Sequence, residues 1–203
     1  MNTKTSRPNP NMKFDPNKHR RKSIRVPGYD YSQSGAYFVT MVTYRRECMF
    51  GDVVDGEMRL NDFGKIAKGY WHEIPNHFPN VKLGTHMVMP NHVHGIIIII
   101  DSHVGARHAS PLHDDKTYPH GFKPGSLGAI VGSYKSAVTK RINEIDNSPG
   151  AVEWQRNYYA CPERSRREHI IQNDREWNNI HLYIESNPLN WATDEENPIC
   201  HAQ

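Results

Sequence analysis

Residues 89–100 read MPNHVHGIIIII, and this stretch limits what the chain can fold into more than any other. Its five consecutive isoleucines are β-branched, apolar and too few to span a bilayer, so they predict a strand in the middle of a sheet. Side chains alternate faces along a strand, which sends His92 and His94 to one side, about 7 Å apart, and Val93 to the other. Two imidazoles on one face at the mouth of a rigid strand can hold a divalent metal. The spacing proves little by itself, because 13 histidines in 203 residues supply roughly one such pair by chance. Context adds weight. Pro90 and Asn91 mark a turn just before the pair, and residues 81–89 are strand-like, so a tight hairpin is predicted. Further ligands must come from elsewhere in the chain.

At 23.4 kDa there is room for one substantial core with loops and tails. Three widely spaced cysteines, Cys48, Cys161 and Cys200, contain no CxxC pair, which argues for a reducing compartment and against a disulfide frame or a thiolate zinc site. Neither an apolar run of membrane length nor a signal-like apolar region is present, so the sequence predicts a cytoplasmic protein with no membrane partner. Charge is unevenly spread. Residues 1–27 carry eight basic side chains, Arg20 and Arg21 among them, against Asp15 alone, giving +7 and leaving −4 for the remainder. With four prolines and no apolar periodicity, residues 1–34 read as a basic, largely irregular arm able to track a phosphate backbone.

The rest alternates strand and helix. Residues 36–44 predict an inner strand, and residues 53–60, split by Asp55 and Gly56, a small hairpin. Asn61 caps a helix with the stripe Phe63, Ile66, Tyr70 and Ile74, ended by Pro75. Residues 101–126 form a long loop containing four histidines. Ser126 caps a second helix whose stripe is Leu127, Ile130, Val131, Tyr134, Val138 and Ile142, with Lys135, Lys140 and Arg141 off it. Residues 152–159 read as a strand with Trp154 and Arg156 on one face. The polar, basic run 160–167 looks like an insertion ahead of Ile170 and Ile171. Asn173, Asp174 and Glu176 open a last helix by a capping-box arrangement, with Trp177, Ile180 and Ile184 as its buried stripe. Residues 192–203 read as a C-terminal tail.

On that last helix Tyr183 and Asn187 lie one turn apart on the flank of the stripe. A nucleophile and a metal ligand at this spacing face one point in space, although a tyrosine on a helix flank more commonly packs its ring and wets its hydroxyl. Pro188 disfavours the α conformation at Asn187, which predicts a frayed end there.

The segments PNHVHGIIII, SYKSAVTKRIN, WQRNYY followed by EHII, and LYIESNPLNW, in this order, resemble the REP-associated tyrosine transposases, relatives of the single-tyrosine HUH transposases. The resemblance covers residues 35–191. It implies an α+β, ferredoxin-like core with a central antiparallel sheet, His92 and His94 as metal ligands, Asn187 at the third-ligand position and Tyr183 as nucleophile. The run 160–167 departs from the pattern, in which WQRNYY and EHII are contiguous. The chemistry implied is metal-dependent cleavage and rejoining of single-stranded DNA beside hairpins through a 5′-phosphotyrosine, with Mg²⁺ or Mn²⁺ matched to mixed nitrogen and oxygen ligands. Arg20, Arg21, Lys135, Lys140, Arg141 and Arg156 are the candidate DNA contacts, and the protein is expected to act as a monomer or homodimer. Two rivals use the same frame: a non-catalytic binder of structured nucleic acid, and a metal phosphohydrolase that uses water.

Overall fold

Residue pattern and backbone agree first at the strands. The computed structural model describes residues 29–101, 122–151, 153–155 and 168–198. Within them β1 (Gly35–Val42), β4 (Val81–Val88), β5 (His92–Ile99) and β6 (Glu168–Ile171) form one antiparallel sheet in the order β4-β5-β1-β6. With α1 (Asp62–His77) between β1 and β4 and α2 (Leu127–Ile145) between β5 and β6, this is the ferredoxin-like arrangement of an α+β fold. A separate hairpin of β2 (Gly51–Val54) and β3 (Glu57–Leu60) turns at Asp55 and Gly56, both at positive φ.

The sheet buries both faces. On one, Tyr37, Val39, Met41, Val93, Ile97 and Ile99 pack beneath α1 and α2; on the other, Phe38 and Ile96 pack beneath Ile184 of α3 (Asp174–Ser186). That explains why β5 reads as a nearly unbroken apolar run: it is central, paired on both edges and covered on both sides. Its neighbour β1 is likewise internal.

Each helix starts where a side-chain cap was predicted. Asn61 accepts from Gly64 N at 2.9 Å, Ser126 from Ala129 N at 3.4 Å and Asn173 from Glu176 N at 2.9 Å. Glu176 reaches back to Gln172 N at 2.9 Å. The predicted stripe of α2 is buried throughout, and Tyr134 is a core residue whose hydroxyl donates to Ala67 O at 3.0 Å.

Two expectations need correction. The inward face of α1 is rotated by one residue, to Gly64, Ala67, Trp71 and Ile74, while Phe63, Ile66 and Tyr70 are only partly buried. Small residues face inward because the helix approaches its neighbours closely: a Cβ on Gly64 would meet Phe50 O at 2.2 Å, and Tyr134 bonds the backbone at Ala67. Pro75 does not end α1, which continues to His77. So near the C-terminus its missing N–H forfeits a single bond, and buried Ile74 holds the turn, with Phe78 N donating to Ile74 O at 2.9 Å. The strand predicted over 152–159 is represented, among the described residues, only by the bridge between Trp154 and Thr43. The rest of that strand, the run 160–167, most of the 101–126 loop and residues 1–28 of the basic arm lie outside the described residues. The end of the arm is docked, with Tyr31 buried and its carbonyl accepting from Leu127 N at 2.9 Å.

The apolar layer under α1 also holds a titratable group. His86 on β4 stacks against Trp71 with ring centroids 5.6 Å apart and meets His72 edge-on at 4.7 Å. Burial, then His72 and Lys68, lower its pKa to about 4. The unfolded chain takes up this proton near pH 6.5 and the folded chain does not, so the contribution is intact above pH 6.5 and is lost as pH falls towards 4. Urea titrations should show wild-type stability dropping over that window by about 1–2 kcal/mol more than His86→Gln, allowing for solvent screening. Equal pH slopes would contradict this.

Candidate metal centre

Strand parity brings the two histidines together. His92 and His94 open β5, opposite Val42 and Thr40 of β1, on the α3 side of the sheet. Both are buried, and their Nε2 atoms stand 2.7 Å apart. The outer nitrogens are tied. Asn91 Nδ2 faces two carbonyl oxygens, Glu196 O at 2.6 Å and Arg46 O at 3.1 Å, so it is the donor and Asn91 Oδ1 must be an acceptor. It lies 2.8 Å from His92 Nδ1, which therefore carries the proton and leaves the Nε2 lone pair pointing inward. His94 Nδ1 lies 3.0 Å from Thr40 Oγ1. When that nitrogen donates to the hydroxyl, both Nε2 atoms present lone pairs to the same point, the arrangement that outer hydrogen bonds impose on metal-binding histidines.

The helix supplies the opposite wall. Phe38, Ile96 and Ile184 fix α3 on the sheet, and on the same face Tyr183 sits with its ring centroid 5.3 Å from that of His94 and 6.0 Å from that of Phe38. The Tyr183 side chain, in the same chain as the histidines, is 37% exposed, so a large substrate can reach it. Asn187 is buried and lies against His94. Its backbone is not frayed: with φ −58° and ψ −40° it stays α-helical in spite of Pro188, held by its own N–H to Ile184 O at 3.3 Å and by its side chain, which donates from Nδ2 to Asp194 Oδ2 at 2.8 Å.

Asp194 is the residue that sequence reading missed. It belongs to the segment read as a tail, yet Asp194, Glu196 and Asn197 are buried. After α3 the chain passes through a short 3-10 turn, Trp191–Thr193, and folds back beneath the histidines. Glu196 N donates to Asp194 Oδ1 at 2.7 Å, Asn197 Nδ2 to Trp191 O at 2.8 Å, and the Trp191 ring lies 5.9 Å from that of His92. Candidate ligand atoms of His92, His94 and Asp194 fall within 4.8 Å of one another. The one sequence signal was an acidic residue after a helix, which many solvated tails share.

The donor set fits a hard or borderline divalent cation. Two imidazole nitrogens, a carboxylate and the Asn187 amide gather in a buried space, and Asn187 Oδ1 has no hydrogen-bond partner among the described residues. A hydrogen-bonded histidine pair needs one proton between its nitrogens; it does not need an added carboxylate and an orphaned amide oxygen, whereas a cation uses all four. Burial and then His92 hold the His94 imidazole well below the ordinary histidine range, against Asp194 and Asn187, so it is neutral near pH 7, as a ligand must be.

Three of the predicted DNA contacts are described, and they are not at this centre. Lys135, Lys140 and Arg141 are on α2, across the sheet from the histidines. Lys135 Nζ donates to Gln155 O at 3.4 Å and lies 5.5 Å from the centre of the Trp154 ring, while Arg141 pairs with Glu144 at 3.3 Å. Arg20, Arg21 and Arg156 lie outside the described residues.

Comparison with known proteins gives a relative but no activity. An uncharacterized protein of Haemophilus influenzae is 37% identical over 184 residues, 90% of this chain and 96% of the relative. The chain belongs to that protein's family. No family model matches it. Among solved structures, a REP-associated tyrosine transposase bound to a REP hairpin is 15% identical, aligned over 86% of this chain and 77% of that one, with a TM-score of 0.48. A candidate transposase from Deinococcus radiodurans R1 is 16% identical over 79% and 95%, with a TM-score of 0.39. Likenesses this weak do not bear on the chemistry of the centre, and no helix among the described residues is long and apolar enough to cross a membrane.

Calorimetric titration with Mn²⁺ tests the donor set. Asp194→Asn keeps the shape of the side chain and removes the charge, and its affinity for Mn²⁺ should fall at least about tenfold. An unchanged affinity would exclude Asp194 as a ligand.

Proposed function

We propose that the chain is a metal-dependent endonuclease and transposase acting on single-stranded DNA beside hairpin elements, with Tyr183 as nucleophile and His92, His94, Asp194 and Asn187 around the cation. The observation that carries this reading is the phenol of Tyr183, partly open to solvent, standing beside His94 in the same chain as four buried donors that converge without a substrate of their own. The motif resemblance assigns the same tyrosine and the same histidines.

Bound between these donors, Mg²⁺ or Mn²⁺ would supply positive charge to withdraw electron density from a scissile phosphate. The chain's own residues do the rest. Tyr183 Oη bonds to phosphorus as the bond from phosphorus to the 3′-oxygen breaks; the phenol proton leaves to solvent and the 3′-oxygen takes one up. The products are a 5′-phosphotyrosyl link and a free 3′-hydroxyl. One phosphoester replaces another, so a 3′-hydroxyl can reverse the step without ATP. Phe38 and His94, stacked on one another, both pack against the ring of Tyr183, and the Asn91 contact keeps the His92 imidazole in the tautomer a cation requires.

On this reading Tyr183 acts on the centre of its own chain, in a monomer or a homodimer. Hairpin DNA is the partner this reading implies, with the basic arm as an added electrostatic contact in a cytoplasmic, nucleoid-associated setting.

Labelled hairpin DNA with single-stranded flanks, incubated with Mn²⁺ and run on a denaturing gel, separates the alternatives. Wild-type protein should form a covalent adduct, and Tyr183→Phe should lose adduct and cleavage while still binding DNA. Cleavage without adduct would indicate a phosphohydrolase; binding without either, a non-catalytic binder.

A further inference from the structure

The turn that follows β1 is strained in an unusual way. Arg45 and Arg46 are consecutive residues at φ 56° and 60°, in the left-handed region that side chains other than glycine, asparagine and aspartate enter at a cost. Glycine at either position would remove that cost, so each arginine side chain must return something. Arg46 does so within the fold. Its Nη1 donates to Glu195 O at 3.1 Å, its Nε lies 3.3 Å from Glu196 Oε2, and its carbonyl accepts from Asn91, so it fastens the segment that carries Asp194 to the turn that carries His92.

Arg45 returns nothing of that kind. It is exposed, and among the described residues its guanidinium meets only the ring of Tyr44, 5.2 Å from the ring centre, which is itself 43% exposed. The place matters. β1 ends at Val42 opposite His92, and Thr43 N donates to Asn91 O at 2.8 Å, so Tyr44 and Arg45 stand on the rim of the metal centre. The neighbouring Arg46 is neutralised by Glu196. A strained cation laid over an exposed aromatic ring at such a rim has the chemistry of a single-strand contact: a guanidinium for a backbone phosphate and π faces on which an unpaired base can stack.

We infer that Arg45, supported by Tyr44, holds the single strand as it leaves the metal centre. The inference deepens the proposed function and rests on it for the identity of the ligand. Arg45 touches the strand away from the reacting phosphate, so it is a positioning residue.

Arg45→Gly is an informative variant because glycine suits the backbone better than arginine, so loss of folding is not a confounding result. The probe is a fluorescein-labelled hairpin oligonucleotide with a single-stranded flank, bound by full-length protein in EDTA over a series of salt concentrations, with melting temperature measured in parallel. The variant should melt at or above the wild-type temperature and bind about fivefold to tenfold more weakly, with the slope of log affinity against log salt reduced by about 0.7. Unchanged binding and slope would overturn the inference, as would a lowered melting temperature, which would show that the side chain serves the fold. The adduct assay keeps the two claims apart. Wild-type adduct with unchanged Arg45→Gly binding removes only this contact; no wild-type adduct with weakened Arg45→Gly binding removes only the nuclease.

Discussion

One carboxamide ties the functional end of the molecule together. Asn91 is buried and uses both ends of its side chain: Nδ2 donates to the carbonyls of Arg46 and Glu196, and Oδ1 accepts from His92 Nδ1. The turn after β1, the β4–β5 turn and the segment after α3 therefore meet at a single side chain. These segments are far apart in sequence. It sets the tautomer of His92 and helps hold both the strained arginine turn and the segment that brings Asp194 back.

The sheet makes the centre rigid and the helix makes it accessible. Strand alternation fixes two imidazoles on one face with no freedom to diverge, since β5 is paired on both edges along its length. Gly95, directly after His94, lets the opposite face close: a Cβ there would lie 2.2 Å from the Trp71 ring. Large apolar residues on that face thus hold the strand from behind. The α3 side carries a smaller cluster, Phe38, Ile96 and Ile184, enough to set the helix but leaving Tyr183 partly open. On the proposed function, a phenol that acts on a polymer has to stay reachable, whereas ligands of a cation gain from being dry.

What could be read from sequence follows from how local each cause is. Strand alternation at His92 and His94, the caps at Asn61, Ser126 and Asn173, and the α2 stripe depend on neighbours within a few residues, and these matched the structure. The one-residue rotation of α1 depends on which helix face carries Ala67 and Gly64 against partners distant in sequence, and periodicity weights large side chains instead. Asp194 was invisible for a stronger reason. Its role comes from a chain reversal after Asn187, and the Asn187 amide in turn donates to Asp194, so each is legible only once the other is placed. Arg45 gave no signal either, because left-handed backbone at arginine has no sequence signature.

The chemistry proposed for this end of the molecule requires that these buried donors surround a divalent cation beside Tyr183. Anomalous diffraction from crystals soaked in Mn²⁺ addresses it directly. The account requires one strong peak in contact with His92 Nε2, His94 Nε2 and a carboxylate oxygen of Asp194, with the Tyr183 hydroxyl facing it. Density without an anomalous peak at that position, with the two Nε2 atoms still 2.7 Å apart, would make the pair a hydrogen-bonded element of the core and contradict the account.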